Sequence, residues 1–421
     1  MSTLKGNLMF GQSGGPTSVI NASAAGVFLE ALKHSDTIEK VYGAAHGIVG
    51  ILNEEFYDIG QEDPKELELL KYTPSSALGS CRYKLADADK DDTDYKRILE
   101  VFKKYNIRYF FYNGGNDSMD TCNKVSKYMQ KAGYECRIMG VPKTIDNDLF
   151  GTDHCPGFAS AAKYIATTTM EVYQDARVYD TGMICVIEVM GRHAGWLTAA
   201  TRLASEKGCG PDLIYLPEMT FDLDKVKQDV RELFKKNGKV IIAVSEGVQT
   251  KDGKFIPELD ADAPPTVDAF GHVQLGGAAA ILSNLLKKEI QEKDKIDVKV
   301  RGIELSLMQR CASHSASKTD YDESFLSGQT AVQKALEGLT DYMVGFERGP
   351  GDTYTCQIKL FPLAEVANKE KKIPLEWIDK EGNFVNGEFV KYALPLIVGE
   401  TEQPKEDGLP RFARLKKVLV K

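Results

Sequence analysis

The sequence predicts a parallel α/β protein built as two domains, and three observations predict it. A short apolar, β-branched run, a loop rich in glycine or acid, and then a helical stretch recur through the first half of the chain. Alternation of this kind marks a parallel sheet with crossover helices. The 421 residues exceed one ordinary core, and an apolar content of 43% is ample for two. Finally, the polar residues crowd into the loops that follow the apolar runs, where sheets of this class bind ligands.

The elements follow in order. Residues 8–10 form the first strand, leading into GQSGGP and the helical VINASAAGVFLEALK. Residues 108–112 lead into the loop NGGNDS and the helix MDTCNKVSKYMQKAG. Residues 138–141 lead into PKTIDND, residues 183–189 into MGRHAG and WLTAATRLA, and residues 240–244 into SEG. Any one of these loops reads equally well as a tight turn with a helix cap; five together point to a ligand. After residue 250 the signal thins. KDGKFIPELDADAPPT reads as an exposed connection and FGHVQLGGAAAILSNLLKKEIQEKD as a glycine turn into an amphipathic helix. Residues 300–310 read as a strand and DESFLSGQTAVQKALEG as a helix.

Composition removes several classes. Charged residues make up 27% and the net charge is −8, which argues against a general nucleic-acid binder with a basic face. The N-terminal segment lacks the apolar stretch of a signal peptide, and no run approaches the roughly 18–20 apolar residues of a membrane span, so a cytoplasmic location is expected. The eight cysteines are scattered without a CxxC pair, which predicts free thiols. The six histidines include no HExxH, so a His/Cys metal site is not expected.

The chemistry-bearing residues sit in the loops. Gly14 and Gly15, in a turn before a helix, free backbone N–H groups at the positive end of that helix, a seat for phosphate. The loop is neither a GK[ST] phosphate loop nor a full GxGxxG. Phosphoryl transfer needs an anion cradle, Mg²⁺ on hard oxygen ligands and a base for the acceptor hydroxyl. Asp146 and Asp148, two apart in an extended loop, allow one carboxylate to face the acceptor and the other the metal, with Lys143 beside the transferred group. The plainer alternative is an Asx-turn with exposed carboxylates and a surface lysine.

PKTIDND, with GGNDS upstream and VMGR and SEG downstream, resembles the phosphofructokinase family, and in particular its pyrophosphate-dependent branch. The resemblance runs in order from GQSGGPTSVIN to KKIPLEWID, over most of the chain. It implies two Rossmann-like parallel-sheet lobes with the active site in the cleft between them. Residues 1–159 plus about 311–370 would form the donor lobe, and 160–310 plus about 371–421 the sugar-phosphate lobe. It implies that Asp146 is the general base for the 1-hydroxyl of fructose 6-phosphate, with Thr144, Ile145 and Asp148 at the substrate and magnesium. Met190, Gly191 and Arg192 would contact the sugar phosphate, Glu246 a sugar hydroxyl, and Arg301 and Arg310 the 6-phosphate, one of them from a neighbouring subunit. A homodimer or homotetramer with shared active sites follows. His272 is read as a turn histidine rather than a catalytic one.

Two positions bear on the donor. ATP-using relatives carry Gly-Gly-Asp-Gly and a glycine before TIDND, whereas this chain has Gly114-Gly115-Asn116-Asp117, followed by Ser118, and Lys143. A carboxylate at Asp117 would meet the α-phosphate of ATP at a cost of several kcal/mol, and Lys143 balances charge on pyrophosphate instead. Leu307 replaces a histidine of the ATP-dependent relatives. Asn116 stands where the family has an aspartate associated with magnesium, keeping a carbonyl oxygen without the charge. Arg82 serves pyrophosphate or holds its loop, and the sequence does not separate the two. The rivals to a pyrophosphate-dependent transferase are an ATP-dependent or sedoheptulose-7-phosphate enzyme and a non-catalytic regulatory paralogue. Asp146, Asp148 and Arg192 argue against the last.

Overall fold

The computed structural model describes residues 4–259, 275–351 and 353–420; His272 lies outside them. The main strands are β1 (Gly6–Gln12), β2 (Ile38–Ala44), β3 (Phe56–Asp58), β4 (Ile107–Gly114), β5 (Arg137–Pro142), β6 (Gly182–Val189), β7 (Leu213–Tyr215), β8 (Lys239–Ser245), β9 (Val298–Glu304), β10 (Tyr342–Arg348) and β11 (Cys356–Pro362). The long helices are α1 (Ile20–Ala31), α2 (Thr93–Lys104), α3 (Asn116–Lys131), α4 (Phe158–Ala176), α5 (Leu223–Asn237), α6 (Ala278–Leu286) and α7 (Lys318–Leu336). Two compact units result: Met1–Ser160, Arg310–Lys371 and Val398–Lys421 form the first, Ala161–Gln309 and Lys372–Ile397 the second. Both are Rossmann-like α/β units.

The first unit is built on a seven-stranded sheet in the order β11-β10-β5-β4-β1-β2-β3. Strands β2, β1, β4, β5 and β10 run parallel, and β3 and β11 close the edges antiparallel. Its central strands are buried on both faces, which is why they read as continuous apolar runs rather than alternating ones. Phe10, Phe111 and Met139 face one core with Phe28 of α1, and Met9, Phe110 and Tyr112 face the other with Phe102 and Met119. Helices α1 and α7 meet almost backbone to backbone. A Cβ on Gly26 would stand 2.1 Å from the Phe325 carbonyl oxygen, and one on Gly328 2.1 Å from that of Ser23.

Residues 398–421 belong to this first unit, not to the second as the sequence reading had it. Their backbone is the reason. Asp58 N–H donates to Val418 O and Val420 N–H to Phe56 O, both at 2.9 Å, so the tail pairs beside β3. Arg411 also pairs with Glu66.

The second unit holds a four-stranded parallel sheet, β7-β8-β6-β9. Ile184, Val186, Ile242 and Val244 pack against Leu282 and Leu286 of α6 and Val226 and Val230 of α5. Helix α5 starts where Asp222 accepts the Asp224 and Lys225 N–H groups and stops at Gly238 in the left-handed conformation. The strand expected over 300–310 ends at Glu304. Ser306 turns at φ 45°, and Met308–Cys311 form a helical turn, so Gln309 and Arg310 lie off the strand.

Alanine at position 328 would raise helix propensity by up to about 1 kcal/mol, yet overpacking at a closed contact costs about 1–3 kcal/mol. Gly328→Ala is therefore expected to lower stability in chemical denaturation. A neutral or stabilised variant would show that α1 and α7 have room to part.

Candidate active site

Sheet order brings three loops of the first unit together, because β5, β4 and β1 are neighbours. Gln12 lies opposite Asn113 and Gly114 opposite Pro142, so the three strands end nearly level. The first loop is fixed by a buried amide pair. Gln12 Nε2 donates to Asn21 Oδ1 at 2.9 Å, while Gln12 Oε1 accepts Leu78 N–H and Asn21 Oδ1 accepts Ala77 N–H. Ser80 Oγ donates to Gly14 O at 2.6 Å and Gly14 N–H to Cys81 O at 3.1 Å. The 73–82 segment, with exposed Arg82 at its end, is thereby laced to the glycine loop.

Lys143 is not a surface lysine. Its side chain is buried, with the residue 3% exposed, and its Nζ donates to Gly15 O at 2.8 Å. Burial pulls its pKa down to about 8, against the opposing pull of Asp146 and Asp148, with Arg310 and Arg82 adding to the depression. The Arg310 guanidinium lies beside Gly15, its Nη1 3.1 Å from where a Cβ would stand. Its Nε is buried with no hydrogen-bond partner among the described residues, a donor that an anion would satisfy.

The second loop differs from its expected form. Helix α3 starts at Asn116, with Gly115 before it, so Asn116, Asp117 and Ser118 form a helical first turn rather than a loop. Asp117 is exposed there and Ser118 is buried. Asn116 Nδ2 donates to Asp148 Oδ2 at 3.0 Å, while Asn116 Oδ1 is buried with no partner among the described residues. Burial pushes Asp148 up, as does Glu370, whereas Lys371 and Asn116 pull it down.

TIDND is a turn, not an extended segment, because Asn147 sits at φ 55°. Its buried side-chain oxygen accepts Cys155 N–H at 2.9 Å. Thr144 Oγ1 accepts Asp146 N–H at 3.1 Å, and Thr144 N–H donates to Pro156 O. Ile145 is buried and Asp146 half-buried. The plainer reading of the motif was thus right about a turn and wrong about its exposure.

In the second unit, β6 and β8 are neighbours and end level, Val189 opposite Ser245. Glu246 Oε1 accepts Gly191 N–H at 3.2 Å, Ser245 Oγ donates to Gly191 O at 2.6 Å, and Gln309 Oε1 accepts Met190 N–H at 3.2 Å. Gly191 has φ 142°, and a Cβ there would stand 2.6 Å from Ala194 O, so only glycine fits this knot. Arg192 is half-buried, while Arg301 on the edge strand β9 and Leu307 are exposed. Arg301 and Arg310, read as one clamp, fall in different units of the chain.

Some residues at these loops carried no signal in the sequence. Glu188 looks like part of an apolar strand, yet it is a buried carboxyl pushed up to about 7 by burial first and then by Glu304 and Glu246. Its Oε2 accepts Ala279 N–H at the start of α6, and its Oε1 has no partner among the described residues. Buried Asp320 accepts the Gly157 and Ser160 N–H groups, both at 2.9 Å, at the start of α4. Half-buried Lys371 donates from Nζ to Thr152 O and Asp153 O.

Glycine turns, a buried ammonium and paired carboxylates at the C-terminal ends of parallel strands define an α/β protein whose loops gather the groups that suit a phosphate-type anion. The phosphofructokinase sequence pattern matches residues 7–333, and the chain belongs to that family. It is 45% identical over 414 residues to a pyrophosphate–fructose 6-phosphate 1-phosphotransferase of Halomonas elongata, covering 98% of this chain and 96% of that one. Crystal structures of pyrophosphate-dependent phosphofructokinases are similar throughout. That from Marinobacter aquaeolei superposes with a TM-score of 0.87 at 39% identity, covering 99% of this chain and 97% of that one. That from Nitrosospira multiformis gives 0.88 at 40%, covering 99% and 98%.

A lysine with a pKa of about 8 carries its charge below that pH and loses it above. Pyrophosphate affinity of the free protein, measured calorimetrically and corrected for the ligand's own ionisation, is therefore expected to weaken roughly tenfold between pH 7 and pH 9. Lys143→Met should bind weakly and without that trend; a flat profile for the unaltered chain would remove the ammonium from the anion seat.

Proposed function

We propose that this chain transfers a phosphoryl group reversibly from pyrophosphate to the 1-hydroxyl of fructose 6-phosphate, giving fructose 1,6-bisphosphate and phosphate. The observation that carries the donor assignment is buried Lys143, with its ammonium against the glycine loop. Pyrophosphate is compact and highly charged, and a buried cation beside the glycine loop neutralises it where a nucleotide would bring bulk. Asp117 at the start of α3 would repel the α-phosphate of ATP. Gly14, Gly15, Gly115, Ser118 and Arg82 complete the donor side in this reading.

Asp146 takes the proton of the 1-hydroxyl as the oxygen attacks phosphorus and returns it in the reverse direction. Thr144 holds the backbone of that loop, and Ile145 keeps its root dry. Met190, Gly191, Arg192 and Glu246 grip the sugar phosphate, with Arg301 and Arg310 on its 6-phosphate. Leu307 lies in the same stretch. The exposed side chain of Arg301 suits reach to a neighbouring copy, and we take the working form as a homodimer or homotetramer in the cytoplasm. Among the described residues no helix is long and apolar enough to cross a membrane.

Magnesium fits the residues present. Asn116 Oδ1 and the Asp148 carboxylate are hard oxygen donors on neighbouring turns, and the former lacks a partner among the described residues. No group of three or more acid, histidine or cysteine side chains suited to a metal occurs among the described residues. Phosphate oxygens and water would therefore supply the remaining positions, as is usual for this ion. Once bound it would neutralise charge on the transferred group.

A coupled assay with fructose 6-phosphate should show turnover with pyrophosphate and little with ATP; the reverse preference would overturn the donor assignment. Asp117→Gly with Lys143→Gly should lose pyrophosphate activity and admit some ATP, and full retention would show that these residues do not select the donor. Asp146→Ser is expected to lose several orders of magnitude in kcat with little change in sugar-phosphate affinity. Near-normal turnover would remove Asp146 from the base role.

A further inference from the structure

The loop that carries Asp146 returns past a charge cluster around a buried histidine that the proposed chemistry does not use. His154 is 1% exposed, and both ring nitrogens face carboxylates: Nδ1 lies 2.9 Å from Asp153 Oδ2 and Nε2 2.7 Å from Glu323 Oε2. A neutral imidazole has one N–H, so it would turn a lone pair toward one of these oxygens. The arrangement is satisfied only by an imidazolium donating twice. The ring stacks on Phe346 of β10 at 4.7 Å and 11°. Arg348 Nη2 and Nε bind Asp153 at 3.1 to 3.3 Å, and Tyr354 donates to Glu323 at 2.6 Å. With His154 charged, two cations and two carboxylates cancel around a buried ring and partly buried partners, where an unmatched charge is costly.

The cluster lies at the far side of the catalytic loop. Cys155, next to His154, donates its N–H to Asn147, the left-handed residue that sets the direction of Asp146. Two residues further on, Gly157 bridges Thr144 in parallel. We propose that His154 is a positioning residue for Asp146: its ring pins the returning limb of the loop to Glu323 of α7, and through Cys155 and Asn147 fixes where the base points. This rests on the reading of Asp146 as the base.

Charge sets the sign of its pH response. Burial lowers the His154 pKa, but the hydrogen bonds to Asp153 and Glu323 outweigh it and the net shift is upward. Asp153 is held at about 2, burial being overcome by His154 and Arg348. The groups facing the ring are Asp153 on the loop, Glu323 and Asp320 on α7, Arg348 on β10 and Tyr354 beyond it; Cys356 of β11 lies by Glu323 and Lys371 by Asp153. A raised histidine stabilises the fold fully below its unfolded value near 6.5. That contribution is lost as pH rises through the folded value, so the loop loosens on the alkaline side.

His154→Gln leaves one partly buried carboxylate without its donor. With pyrophosphate and fructose 6-phosphate, kcat should fall roughly 10- to 100-fold, with KM for the sugar phosphate little changed. His154→Gln with Glu323→Gln restores charge balance and should recover about tenfold of that loss. Near-parental kcat in the single variant, or a double variant no better than the single, would overturn the proposal. Should His154→Gln fail to fold, Glu323→Gln alone should move the alkaline decline of kcat toward neutral pH, and an unmoved profile overturns the proposal equally. Amide hydrogen exchange separates this from the function reading. In His154→Gln, amides of residues 144–157 should exchange about tenfold faster while those of β6 and β8 do not change, whatever substrate the protein uses. Unchanged exchange in 144–157 would sink the proposal even if the parent transfers phosphate from pyrophosphate, and a parent without that activity would sink the function reading alone.

Discussion

Three parallel strands ending level are the constraint on which the rest of the first unit depends. Side-by-side pairing of β1, β4 and β5 leaves their next residues no choice but to crowd at one edge of the sheet. A parallel sheet buried on both faces offers polar groups only at its ends, so that edge is where charge collects. Lys143 shows the result. It follows β5 directly, is buried by the neighbouring loops, and finds the Gly15 carbonyl because β4 alone separates β5 from β1. Asn116 and Asp148 meet for the same reason, one following β4 and the other β5.

Burying charge there requires support from behind. Helix α7 reaches the returning limb of the loop with two acids one turn apart. Asp320 takes backbone N–H groups at the start of α4, and Glu323 takes the His154 ring. The helix itself is held against α1 through glycine backbone contacts that leave no slack. Rigidity thus passes from a close-packed helix pair to a loop that would otherwise consist of acid and glycine.

Much of this was legible in the sequence. The apolar runs placed β1, β4, β5, β6 and β8 to within a residue or two, since burial on both faces leaves them uninterrupted, while β2, β3, β7, β10 and β11 were not singled out. The glycines and acids after them marked the ligand edge. What the sequence did not show was decided by tertiary context. NGGNDS reads as a loop because all six of its residues favour turns over helix interiors, yet the chain turns helical at Asn116, directly after Gly115. Residues 300–310 looked like one strand because apolar residues continue past Glu304, but Ser306 breaks the run. Asn147 is a residue type that tolerates a left-handed turn, but nothing marks that its amide is buried, and nothing in the local pattern tells buried Glu188 from an exposed counterpart. The resemblance supplied roles for motif residues only, and His154 lies outside any motif.

The tail beside β3 bears on the order in which the molecule is assembled. Residues 398–421 belong to the first unit but are synthesised after every segment of the second. During translation the α/β layer around β6 and β8 has all its strands, and its closing segment 372–397, before the first unit receives its last piece. The first unit must therefore wait with the 56–76 region uncovered while the second condenses. Contacts such as Val418 with Asp58 and Arg411 with Glu66 span hundreds of residues, a separation that slows closure. The nascent chain thus covers the β3 side of the first unit last.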